Sequence, residues 1–108
     1  LTPLATLDTT RLSGWLVVVI NGEIDLSNAA IIRAQLEDAT KSEMAVAIDL
    51  SPVQYIDSQG VRLFYQLSQR FAAKRVDFAF VAPADSIAGQ VLKLSQLSDL
   101  VPILESLD

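Results

Sequence analysis

The 108-residue sequence predicts a single α/β domain over residues 1–108: a mixed, mostly parallel β-sheet of about five strands, with an N-terminal antiparallel hairpin, covered by α-helices. Three observations carry this. Short β-branched apolar runs alternate along the chain with segments whose apolar residues recur at helical spacing. A hydrophobic share of 51% beside 19% charged residues suits a chain that buries one core. No repeat, low-complexity tract or linker divides it.

Residues 4–12 read as a first strand and Ser13-Gly14 as the turn of a hairpin. The run Trp15-Leu-Val-Val-Val-Ile20, closed by Asn21-Gly22, reads as a strand buried on both faces. Ser27 or Asn28 is the expected N-cap of a helix whose inner stripe is Ala29, Ile32, Leu36 and Ala39. Residues 44–50 form a central strand that Pro52 stops. From Ser58 to about Lys74, the stripe Val61, Phe64, Leu67, Phe71 predicts a second helix, with Lys74-Arg75 at the end the macrodipole favours for cations. Residues 76–82 make another buried strand. Ser86 then caps a third helix with Ile87, Val91 and Leu94 on one face, and residues 101–104 close the sheet. Leu16, Val18, Ile20, Ile48, Leu50, Phe64, Phe71, Phe78, Val91 and Leu94 are the expected core.

The composition excludes several chemistries. With no Cys and no His there are no disulfides, no thiolate or imidazole metal sites, no Ser–His nucleophile and no phosphohistidine relay. Thirteen acidic against eight basic residues, a net charge of −5, argue against nucleic-acid binding and for a basic partner surface. The longest apolar run, residues 15–20, is far below the roughly 18–20 residues that span a bilayer, so no membrane attachment is expected. The opening Leu1-Thr2-Pro3 has no export signal, which makes a cytoplasmic location the expectation. A start without Met is read as a trimmed chain or a piece of a longer one.

In such a sheet functional groups gather at the carboxyl ends of strands. Three acid-bearing segments arrive there: Gly22-Glu23-Ile24-Asp25, Asp49-Leu50-Ser51 and Tyr55-Ile56-Asp57-Ser58-Gln59-Gly60. A Mg²⁺-dependent phosphoaspartate site would need adjacent acids after the first strand and a Lys after the last, and neither is present. Taken singly, Asp25 and Asp57 read as helix caps, Asp49 as an acid that bonds nearby backbone, and Ser58 as a helix-start residue. The four glycines are too scattered for a phosphate loop, so no nucleotide cofactor is expected, and no base or oxyanion-hole motif supports a hydrolase. The chain is expected not to be an enzyme. A hydroxyl in the first turn of a helix nonetheless lies where an added phosphate is electrostatically tolerated, and Ser58 has that placement.

Ile20-Asn-Gly-Glu-Ile-Asp25, followed by Ile48-Asp-Leu-Ser-Pro-Val-Gln-Tyr-Ile-Asp-Ser-Gln-Gly60 and then by Val81-Ala-Pro83, Leu94-Ser-Gln-Leu97 and Val101-Pro-Ile103, resembles the STAS domain of bacterial anti-sigma factor antagonists. The resemblance covers nearly the whole chain. It implies a partner-switching regulator that binds an anti-sigma factor serine kinase when unphosphorylated and is released on phosphorylation. The acceptor falls on Ser58, and a phosphatase acting on phospho-Ser58 would be a second partner. The Ser or Thr that usually follows the acceptor is Gln59 here, which keeps hydrogen-bonding capacity and adds bulk. Gly60 is retained, and its missing side chain is expected to let a partner backbone approach. The partner surface expected from strand-end geometry and the resemblance together is Glu23, Asp25, Ser27, Asn28, Asp57, Ser58, Gln59, Gly60 and Arg62. The alternative is an accessory STAS domain, not phosphorylated, that binds a transporter or another signalling protein.

Overall fold

Two left-handed residues in succession, Ser13 at φ 50° and Gly14 at φ 86°, reverse the chain and pair β1 (Ala5–Leu12) with β2 (Trp15–Ile24) from Leu12↔Trp15 to Ala5↔Gly22. This is the expected antiparallel hairpin. A computed structural model of the chain describes residues 3–107. After the hairpin come α1 (Ala29–Thr40), β3 (Ala45–Asp49), β4 (Val53–Ile56), α2 (Ser58–Ala73), β5 (Asp77–Val81), α3 (Ile87–Leu94), a 3-10 turn (Leu97–Asp99) and β6 (Ile103–Leu104). The sheet order is β1-β2-β3-β5-β6, and every pairing beyond the hairpin is parallel.

Side chains alternate across this sheet as the period of two requires. Leu16, Val18, Ile20, Val46, Ile48 and Phe80 enter the main core, together with Ile32 and Leu36 of α1, Leu63, Phe64, Leu67 and Phe71 of α2, and Ala88 and Leu92 of α3. Val17, Ala47 and Val81 point to the other face, where Trp15, Val19 and Leu107 pack on them. Helix α2 is keyed to β5 by edge-to-face rings: Phe64 meets Phe80 at 5.4 Å and Phe71 meets Phe78 at 4.8 Å. Each such pair is worth about 0.5–1.5 kcal/mol beyond the area it buries.

Four expectations are refined or corrected. First, the sheet of about five strands includes a sixth, short one, β4, just after the Pro52 beyond which β3 does not continue. β2 is ten residues long and β3 only five, so β3 pairs with residues 16–19 of β2 and leaves its far end open. β4 takes up that free end, with Gly22↔Val53, Glu23↔Tyr55 and Ile24↔Ile56, across a register shift at Gly22/Glu23. Second, Leu94 is 82% exposed and Ile87 50% exposed, whereas α3 buries Ala88 and Leu92. The stripe Ile87, Val91, Leu94 has correct helical spacing, but the neighbouring stripe faces the sheet. Phe78 and Val91 are half-buried against the core, and the other seven expected core residues are buried. Third, Asn28 occupies the N-cap position of α1 as expected, but its side chain makes no cap bond. Fourth, Asp25 does not cap that helix with its side chain either, because its carboxylate turns to Ser27.

Gly22 explains the start of the next region. Its φ is +115°, and a Cβ there would lie 2.1 Å from the Leu4 carbonyl oxygen, which accepts the Glu23 amide at 2.9 Å. Only glycine fits, and the strand turns at that point toward the site.

Candidate functional site

β2 and β4 end side by side, and both run into loops at the same end of the sheet. The ladder is extended by the Asp57 amide, which donates to the Ile24 carbonyl at 3.1 Å. Asp57, itself still extended, is the N-cap of α2. Its Oδ1 accepts the amides of Gln59 (2.8 Å) and Gly60 (3.1 Å), and its main-chain carbonyl accepts that of Val61 (3.1 Å). Its second oxygen, Oδ2, accepts the Leu26 amide at 3.0 Å from the loop after β2. One carboxylate therefore binds the first turn of α2 to the β2–α1 loop.

That loop is internally tied. Asp25 Oδ1 accepts both the amide (2.8 Å) and the hydroxyl (2.5 Å) of Ser27. Asn28 Oδ1 accepts the Asp25 amide at 2.9 Å, while Asn28 Nδ2 donates to the Glu23 carbonyl at 2.8 Å. These bonds satisfy the chain reversal and explain why Asn28 does not cap α1. The Ser27 hydroxyl, then its amide, holds the Asp25 carboxyl below the usual carboxylate range.

Ser58 is the first residue of α2 and is exposed. Gln59 is half-buried beside it, and Arg62 is exposed one turn on. Gly60 is buried, and its lack of a side chain has a reason within the fold. A Cβ at Gly60 would stand 2.7 Å from Ile56 Cγ2 and 3.0 Å from Ile24 Cγ2. The bare backbone lets the first turn of α2 sit on the ends of β2 and β4, and so it sets the height at which Ser58 is presented.

Five of the nine expected residues divide between two hollows, and Glu23, Asn28, Ser58 and Gly60 line neither. Asp25, Ser27 and Asp57 line an open depression of about 330 Å³ together with Leu26 and Tyr55. Gln59 and Arg62 line a groove of about 170 Å³ between α1 and α2, with Arg33 and Gln66. Glu23 is half-buried at the end of β2, opposite Tyr55. Asp49 stays apart from both hollows: its Oδ1 accepts the Ser51 amide at 2.9 Å, the backbone-bonding role expected of it taken singly. Among the described residues no group of three His, Cys, Asp or Glu stands close enough to hold a metal ion, and no helix is long and apolar enough to cross a membrane.

Leu26 and Tyr55 were missed by sequence reasoning. Leu26 is 75% exposed and Tyr55 49% exposed, beside the Asp57 carboxylate. The signal for Leu26 was a large apolar residue isolated between Asp25 and Ser27 in a turn, where no helix or strand period assigns it to a core. For Tyr55 the signal was hidden, because an aromatic between Val53 and Ile56 reads as interior. Two exposed apolar side chains beside carboxylates, on a loop held by hydrogen bonds, thus form a mixed apolar and acidic patch at this end of the sheet.

A family model described as the STAS domain matches residues 6–108. The chain is similar in structure to an anti-sigma factor antagonist from Mycobacterium paratuberculosis, with a TM-score of 0.84 and 26% identity over 96% of this chain and 88% of that one. A Thermotoga maritima protein shares the fold at a TM-score of 0.81 and 21% identity, covering 94% of this chain and 87% of that one. The Bacillus cell fate determinant SpoIIAA, in its phosphorylated form, shares it at a TM-score of 0.67 and 17% identity, covering 94% and 93%.

Proposed function

The chain belongs to the STAS domain family, whose members are regulatory rather than catalytic, and from that premise we propose that it is an anti-sigma factor antagonist working by partner switching. Unphosphorylated, it binds an anti-sigma factor serine kinase in the cytoplasm; phosphorylation of Ser58 releases it, and a phosphatase resets it. The observation that carries this reading is the setting of Ser58: exposed, first in α2, next to a carboxylate that ties the first turn of that helix to the β2–α1 loop.

The chemistry divides between the two proteins. The Ser58 hydroxyl oxygen attacks the γ-phosphorus of ATP held by the kinase, the bond to the ADP oxygen breaks, and the hydroxyl proton passes to a base of the kinase. The antagonist supplies a positioned hydroxyl and no nucleotide loop. Docking uses Leu26 and Tyr55 as apolar anchors, with Glu23, Asp25 and Asp57 toward a basic partner face and Ser27, Asn28, Gln59 and Arg62 around the rim. Phosphate adds about −1.5 to −2 charge next to Asp57. Like charge forced into a contact costs several kcal/mol, on the order of a hundredfold or more in affinity. Release then needs no rearrangement of the fold.

The test is incubation with the cognate kinase and MgATP, read by mass spectrometry of the intact chain and by affinity before and after. One phosphate on Ser58 is expected, with binding lost in the wild type and kept in Ser58→Ala. A chain that gains no phosphate, and binds as Ser58→Ala does throughout, is instead a constitutive accessory domain for a transporter or another signalling protein.

A further inference from the structure

Ser58 and Arg62 stand at i and i+4 of α2, both exposed. Such a pair has Cβ atoms about 5–6 Å apart. Helical side chains lean toward the N-terminus, so the Arg62 side chain can reach back to the turn that carries Ser58. Among the described residues Arg62 has no ion pair, whereas Arg33 across the groove is held by Glu37 at 2.9 Å and Gln66 at 2.5 Å. The groove that Arg62 shares with Arg33, Gln59 and Gln66 has no carboxylate in its lining. Asp25 and Asp57 line the other depression.

Resting on the reading of Ser58 as the acceptor, we propose that Arg62 is the internal ion-pair partner of the phosphate carried by Ser58. Once Ser58 is modified, the Arg62 guanidinium pairs with the phosphate and draws it over the α1–α2 groove, away from the Asp57 carboxylate. An anion four residues before a cation is the favourable order on a helix. The planar guanidinium can also meet two phosphate oxygens at once, which an ammonium cannot. The charged groups that bear on that phosphate are Asp57 at its own helix start, Glu23 and Asp25 from the end of β2 and its loop, Arg33 from α1, and Arg62. The last two are the cations, and only Arg62 is not already engaged.

The experiment leaves the kinase out. Phosphoserine is inserted at position 58 during translation, and ³¹P NMR follows its second ionisation in the otherwise wild-type chain, in Arg62→Gln and in Arg62→Lys. Ionisation at a pH lower by about 0.3 unit with Arg62 than with Gln is expected, the size of one i,i+4 pair, with part of it recovered by Lys. The Arg62 Nε–H resonance is expected to move with the same titration. Equal ionisation in all three chains with a stationary Arg62 resonance overturns the proposal. That failure leaves the role of Ser58 intact, and a kinase that never modifies Ser58 leaves this pairing intact.

Discussion

The Asp57 carboxylate accepts the Leu26 amide at 3.0 Å across 31 positions of sequence, while its other oxygen caps α2. The residue next to the acceptor hydroxyl thus also sets the loop that carries the exposed Leu26. Asp57→Ala is expected to lose about 1–2 kcal/mol, the upper part of the range for an N-cap, because a second element is released with the helix. Asp57→Asn keeps an oxygen acceptor for the cap and is expected to retain more than half of this. Urea unfolding of both variants checks the order.

Gly60→Ala places a methyl group where Ile56 and Ile24 already stand. The first turn of α2 must rise, at a cost of about 1–3 kcal/mol for overpacking. The expected signature is a lower denaturation midpoint together with weaker partner binding, since Ser58 moves with that turn. Binding at wild-type strength in a destabilised Gly60→Ala would separate the two roles.

The two stripes of α3 are distinguished by a pair of alanine substitutions. Leu92→Ala removes a fully buried side chain and is expected to cost about 2–5 kcal/mol. Leu94→Ala, at the exposed position, is expected to stay within about 0.5 kcal/mol of wild type. Thermal or urea melts read both.

Tyr55→Ala and Leu26→Ala remove exposed groups and should leave stability within about 0.5 kcal/mol. If they anchor the partner, affinity falls at least about tenfold for Tyr55→Ala, or roughly 1.4 kcal/mol. The carboxylates around them act on encounter, so the association rate should fall as salt rises. Surface plasmon resonance at low and physiological salt measures both effects.

Two carboxyls titrate below their ordinary range: Asp25 through the Ser27 hydroxyl and amide, and Glu43 through its hydrogen bonds with Arg11 at 2.7 and 2.9 Å. A depressed folded value means that the stabilisation is present above the unfolded value, about 4, and is lost as pH falls through the folded one. Acid below pH ~4 is therefore expected to loosen the β2–α1 loop and the β1 contact with Glu43. In Ser27→Ala the Asp25 carboxyl should rise part of the way toward the ordinary range, since the amide at position 27 still donates. Carbon-detected carboxyl titration resolves the shift.

Local patterns were sufficient wherever one turn or one strand period holds the information. The alternation of apolar runs with helical stripes specifies the α/β class and the parallel sheet. Ser13-Gly14 specifies the hairpin, Ser86 and Asp57 are caps by residue type and position, and Asp-Ser ahead of the Val61-Phe64-Leu67 stripe puts Ser58 at a helix start. Tertiary structure decided what depends on which surfaces are left over. β4 exists because β2 outruns β3 and its free backbone groups need a partner, a mismatch invisible in a four-residue segment behind a proline. α3 carries two apolar stripes, and only its angle to the sheet selects Ala88 and Leu92 over Ile87 and Leu94. The bond from Leu26 to Asp57, the filled space at Gly60 and the exposure of Tyr55 all arise where β2 and β4 end together. Periodicity shows that a side chain is apolar and on which stripe it lies; whether that stripe meets a neighbour or water is settled by packing between elements distant in the chain.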